Sequence, residues 1–148
     1  MMKGWKKVKL ADYFQISSGL SKSADQFGTG YPFLSFKDVF WNYFLPEELT
    51  QLVNTDEKEQ EKCSVRKGDV FLTRTSEKVE ELGMSSVALK DYPKATFNGF
   101  RKRLRPISND IDPAFIGFYL RSVQFRAEIT AYSSLTTRAS LNLSLIHI

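Results

Sequence analysis

The sequence predicts a single α+β domain with mixed and antiparallel strands, on which a C-terminal helical segment packs against the sheet. Three observations predict it. At 148 residues the chain is long enough for one core and short for two. Short β-favouring runs bounded by Gly, Asn and Asp occupy the first two thirds, and sustained helical spacing begins only after Asp112-Pro113. Strands and helices do not alternate as a doubly wound sheet would require. With 42% hydrophobic residues, including 12 Phe and 6 Tyr, the chain has enough apolar surface to fold.

The elements follow in order. Trp5 to Val8 can start a strand, and Leu10, Tyr13 and Phe14 fit a short helix. Ile16 leads into a turn at Ser17-Ser18-Gly19, and Leu20 to Tyr31, rich in Ser, Gly and Lys, reads as an exposed loop. Pro32 to Phe36 is a buried strand, followed by Phe40, Trp41, Tyr43 and Phe44, whose spacing does not choose between helix and irregular packing. Thr55 can cap a polar helix from Asp56 to about Cys63, with acids well placed in its first turn. Lys67-Gly68-Asp69 turns into Val70-Phe71-Leu72-Thr73, the strongest strand signal. Met84 to Leu89 and Phe100 to Leu104 are further strands. In the second, Arg101, Arg103 and Arg105 alternate to one face, so that face stays cationic while Phe100 anchors the strand in the core. Asp112 caps a helix with Pro113 at its first position, and Phe115, Phe118, Tyr119, Ser122, Phe125 and Ile129 continue it as one helix or two.

The net charge of +4 is unevenly spread: Lys3 to Lys9 is basic, Asp56 to Glu61 acidic, and Arg101 to Arg105 strongly basic. Such patches suit an anionic partner, nucleic acid first, although a solvated charged face has the same composition. No segment resembles a signal sequence or a membrane span, so a cytoplasmic protein is expected. A lone Cys63 and a lone His147 make neither an internal disulfide nor a nitrogen-sulfur zinc site.

Catalytic patterns are sparse. Glu47, Asp56 and Lys58 loosely imitate a Mg²⁺-dependent nuclease, in which carboxylates hold the metal and a lysine stands near the phosphate, but a Glu/Lys-rich helix produces such triplets by chance. No Gly-rich cofactor turn and no Asn-Pro-Pro-Tyr or Asp-Pro-Pro-Tyr run for amino methylation is present. The more telling pieces are polar and basic residues at strand ends. Arg74, Thr75, Ser76 and Lys78 follow the strongest strand, and Arg74 can reach a guanine edge bidentately, or else pair with Glu77 or Asp69. Asn98, Arg101 and Lys102 surround the turn before the basic strand, where cations can track a phosphate backbone or simply line a solvated edge. Ser18, Lys22, Lys37 and Arg138 complete the candidate DNA-binding set. A third possibility is a protein-interaction module docking through Phe40 to Phe44, though such a run is more often core.

Taken in order, several segments resemble the target recognition domain of type I restriction-modification specificity subunits. They are Trp5 with Leu10 to Gly19, Lys67 to Thr75, Gly83-Met84-Ser85-Ser86-Val87, Asn98-Gly99-Phe100, Asp112-Pro113 leading to Phe118-Tyr119-Leu120-Arg121-Ser122, and Arg138-Ala139-Ser140-Leu141-Asn142. The resemblance implies a DNA methylase specificity-like fold over residues 1–143 that reads one half of a bipartite duplex DNA site. It further implies partner methyltransferase subunits carrying S-adenosylmethionine and restriction subunits using ATP and Mg, with no cofactor and no catalysis in this chain. Residues 144–148 stand where a spacer helix is expected to begin, so a fragment, a truncated product and a half-subunit pairing with a second copy are all compatible with the sequence.

Overall fold

Val70-Phe71-Leu72-Thr73 combines β-branched and aromatic residues with two sides to cover, and the structure covers both. This computed structural model describes residues 10–73, 75–76, 83–131, 133–135 and 139–141. Helix α1 (Leu10–Tyr13) runs directly into β1 (Phe14–Ser18). Strands β4 (Val70–Thr73) and β8 (Arg101–Pro106) form the middle of a sheet ordered β1-β8-β4-β6, with β6 spanning Ser85–Val87, and every pairing in it is antiparallel. Strands β2 (Phe27–Leu34), β3 (Gln51–Val53) and β7 (Thr96–Phe97) make a second sheet, in which β2 pairs antiparallel with β3 and parallel with β7. Strand β10 (Ala139–Leu141) lies between β9 (Ser133–Leu135) and β5 (Thr75–Ser76) in a third.

The core divides on the strand period of two. Val70, Leu72, Leu104, Phe14 and Val87 bury one face of the central sheet with Ile116 and Leu120 from α4 (Pro113–Tyr119) and its C-cap, and Phe125 from α5 (Val123–Ala131). Phe71 points the opposite way, into a cluster with Leu34, Val39, Val65, Ala88 and Phe97. The α+β class, the antiparallel central sheet and the C-terminal helical cover are as expected. The helical stretch is two helices: Asp112 caps the first by accepting from Ala114 N at 2.8 Å with Pro113 behind it, and the chain turns at Leu120 to Ser122.

Several boundaries differ, each for a local reason. Strand β1 runs through Ser18, where a turn is expected, and Gly19 leads directly to Leu20, which bridges Asn98. The Gly-rich stretch after it is exposed, but Phe27 to Tyr31 belongs to β2 across a register shift, with Gly28 and Gly30 at φ 102° and 107°. Those glycines supply a bulged backbone that hides a strand from composition. Strand β2 stops at Leu34 because Ser35 caps α2 (Phe36–Phe40), accepting from Asp38 N at 3.2 Å while the Asp38 carboxylate accepts from Ser35 N at 2.9 Å. Asp56, not Thr55, caps α3 (Glu57–Lys62) through the same reciprocal arrangement with Glu59. The expected strand at Trp5 to Val8 lies outside the described residues. Among the described residues no helix is long and apolar enough to cross a membrane.

Candidate nucleic-acid interface

Register collects the candidates at one end of the central sheet. Ser18 of β1 is opposite Lys102 of β8, Lys102 is opposite Leu72 of β4, and Arg101 is opposite Thr73, after which the chain enters residues 74–76. Lys102 Nζ donates to Ser18 Oγ at 2.5 Å, tying the two candidates together. Backbone pairing of β5 with β10 brings Thr75 and Ser76 beside Ser140 and Ala139, and β9 pairs on the other side of β10, in one small sheet. Arg74, Lys78 and Arg138 themselves, and the side chains of Thr75 and Ser76, lie outside the described residues.

Crossing strands hold this end in place. Leu20 N donates to Phe97 O at 2.8 Å and Gly99 N donates to Leu20 O at 2.9 Å, clamping Gly19 against the backbone before β8. A Cβ on Gly19 would fall 2.2 Å from Phe97 O and 2.6 Å from Asn98 C, both main-chain atoms. No rotamer can relieve that contact. Gly19→Ala is therefore expected to cost roughly 1–3 kcal/mol of stability by forcing the two segments apart. Urea midpoints of the two proteins check this, and an unchanged midpoint would show that the crossing relaxes freely.

The arginines of β8 require a correction. Arg101 and Arg103 are 4% and 6% exposed, whereas Phe100 is 58% exposed. Both faces of the strand are thus covered, Leu104 packing into the core on one and the arginines turned inward on the other, and the expected core anchor lies outside. Phe100 belongs to the turn before the strand and does not share its pleat. The arginine side is covered by aromatic rings and carbonyl groups that accept it. Arg101 lies 5.4 Å over the Phe36 ring, and Arg103 lies 5.4 Å over Phe97 while donating to Lys62 O and Ser64 O at 3.3 and 2.9 Å. Arg105 grips Asp69 through Nε and Nη2 at 2.8 and 2.7 Å. Burial pushes the Arg101 guanidinium down to about 10, so it stays charged at neutral pH. The bond to Asp69 moves Arg105 the opposite way. Direct phosphate contact by Arg101 is excluded by this burial. Asp69, one of the acids weighed as a partner for Arg74, is committed to Arg105.

The remaining candidates sit at the rim. Lys37 is exposed on α2 beside Phe36, the ring under Arg101. Lys22 pairs with Glu59 at 2.9 Å, which lowers the charge it can offer a phosphate. Sequence reasoning missed Gly19 and Phe36, whose roles depend on contacts far along the chain. It also missed Arg121, which ties Val39 O, Phe40 O and Asn42 O to Ser85 O at 2.8 to 3.0 Å. Arg121 lies in one of the segments that carry the family resemblance, but only its remote carbonyl partners reveal what it holds together.

The two rival sites fare differently. Asp56 is a helix cap and Glu47 pairs with Lys90 at 2.8 Å, so both carboxylates of the nuclease triplet already have protein partners. Among the described residues no three His, Cys, Asp or Glu gather as metal ligands. The aromatic run is split: Phe44 packs against the core, while Trp41 and Tyr43 are 71% and 45% exposed and Tyr43 meets the exposed Phe118.

Comparison with known proteins bears on the family and the fold. The family described as type I restriction modification DNA specificity domain matches residues 2–147. No curated protein matches the chain. Among solved structures, the fold is similar to a chain from work on complex assembly and conformational transition of the type I R-M system, with a TM-score of 0.65 at 19% identity, covering 100% of this chain and 34% of that one. It is also similar to the HsdS subunit from Thermoanaerobacter tengcongensis (TM-score 0.62, 19% identity, 100% of this chain and 33% of that one). A third is the type I restriction-modification S subunit from M. genitalium (TM-score 0.61, 14% identity, 98% and 34%). This chain spans about a third of the length of those solved chains.

Proposed function

Because this chain belongs to the type I restriction modification DNA specificity domain family, we propose that it binds duplex DNA and reads one half of a bipartite site through Ser18, Lys102 and Asn98 at one end of the central sheet, together with the candidates Arg74, Thr75, Ser76 and Lys78. The observation that carries this reading is the family match over nearly the whole chain, supported by the strand register that sets Ser18 opposite Lys102 and Arg101 opposite Thr73. In it the chain performs no chemistry. It is a cytoplasmic specificity element that directs methyltransferase subunits, which bring S-adenosylmethionine, and a restriction subunit using ATP and Mg. Pairing with a second half-subunit would complete a bipartite site. Nothing in the geometry or the comparisons supports the nuclease alternative.

The test is binding of the chain, alone and with modification subunits, to a randomised duplex library over a salt series. Salt-sensitive binding with a selected sequence is the expected result, and binding that shows neither property in either form would overturn the reading. Within that assay Arg74→Ala is expected to weaken selected sites by about 1–3 kcal/mol while leaving unselected DNA nearly unaffected. Lys37→Ala should instead weaken all sequences alike and lower the salt slope by about 1. Equal losses on all sequences for both variants would make Arg74 a phosphate contact.

A further inference from the structure

Asn98 is held from several directions at the sheet end. Its main chain lies under Gly19, and the bonds between Leu20 and both Phe97 and Gly99 brace its neighbours. Its Oδ1 accepts from Phe100 N at 3.1 Å and from Arg101 Nη1 at 2.9 Å. A carbonyl oxygen has two lone pairs, and both are occupied. Reversing the amide would set its NH₂ hydrogens against two N–H donors, one of them on a charged guanidinium. The amide therefore has one orientation. Arg101 enforces it from a buried position, 4% exposed and stacked over Phe36, with a buried Nε that has no hydrogen-bond partner and no carboxylate in ion-pair reach among the described residues. Breaking its bond to Asn98 would leave that cation still less satisfied.

What Asn98 leaves available is Nδ2, a group of two donors that meets no acceptor among the described residues. An unconstrained Asn typically reads adenine bidentately, donating to N7 and accepting from the N6 amino group. Here the acceptor half of that pairing is already used. Resting on the DNA-binding reading above, we propose that Asn98 acts as a donor only and reads a keto-bearing base in the major groove, guanine through O6 and N7 or thymine through O4, with Arg101 as the positioning residue that imposes this polarity. Amino-bearing cytosine and adenine present donors at the corresponding position and are disfavoured.

The experiment is the same library selection with the unaltered chain, Asn98→Ala, Asn98→Asp, Arg101→Met and Arg101→Lys, with urea unfolding of each as the check on folding. The unaltered chain should select a keto base at one position, and Asn98→Ala should relax that position by roughly tenfold while leaving the others unchanged. Asn98→Asp keeps an acceptor for Phe100 N and Arg101 but loses the donors, so the same position should switch toward amino bases. Arg101→Met, which leaves Phe100 N as the one donor to Oδ1 and so frees a lone pair to accept from an amino group, should admit adenine there, and Arg101→Lys should restore part of the keto preference, which a purely structural role would not do. Sequence-selective binding that Asn98→Ala and Asn98→Asp leave unaltered would overturn this inference alone. Absence of DNA binding by the unaltered chain in either form would overturn the DNA-binding reading itself and this inference with it.

Discussion

Phe71→Ala is expected to lower the unfolding free energy by about 3–5 kcal/mol, a large part of the roughly 5–15 kcal/mol that a domain of this size possesses. Phe71 is fully buried and meets Phe97 edge to face at 5.2 Å, so its ring joins the central sheet to the sheet of β2, β3 and β7. Truncation removes the transfer energy of a phenyl group and leaves a cavity between two layers that backbone pairing holds apart. Urea unfolding measures the loss. Phe100→Ala is the control, because that ring is 58% exposed and its removal should stay within about 0.5 kcal/mol. A larger loss at Phe100 than at Phe71 would reverse the assignment of inner and outer aromatics along this sheet.

Asp69→Ala follows, with an expected loss of about 3 kcal/mol. The carboxylate is 1% exposed and accepts two bonds from Arg105 and one from Arg66 N at 2.8 Å, which also holds the turn into β4. Removing one partner of such a pair leaves a largely buried guanidinium without its counter-charge. The lower end of the range is expected because Arg105 retains some exposure. Asp69→Asn should cost less, since one acceptor oxygen remains. The double variant Asp69→Ala with Arg105→Met should recover part of the single loss in denaturant titrations, as coupled sites do. A double loss equal to the sum of the two single losses would show that the pair contributes little beyond its separate contacts.

The legible parts of this fold are those written in local chemistry. Asp112-Pro113 announces a helix start, Lys67-Gly68-Asp69 a turn, and Val70 to Thr73 a strand, because caps, turn residues and β-branched runs act within a few residues. Boundaries moved where competing local signals were equal: Asp56 displaced Thr55 as cap, and glycines in Phe27 to Tyr31 concealed a bulged strand. For the candidate site, the sequence identified the segments and family resemblance supplied their meaning. It could not say that both sides of β8 are covered, the arginine side as well as that of Leu104. Alternation placed Arg101, Arg103 and Arg105 together, but a period of two does not tell whether the face they share is solvated or covered.

That choice belongs to tertiary structure. Class, charge distribution and family were determined by the sequence alone, since each depends on residue types in their own neighbourhood or in linear order. Only the packed structure decided that Phe36, Phe97, Asp69 and the carbonyls of Lys62 and Ser64 cover the arginine face, and that Gly19 crosses against Asn98. The reason is physical: a guanidinium can be buried only where rings and acceptors from remote segments converge on it, and that convergence exists only after the sheets have packed.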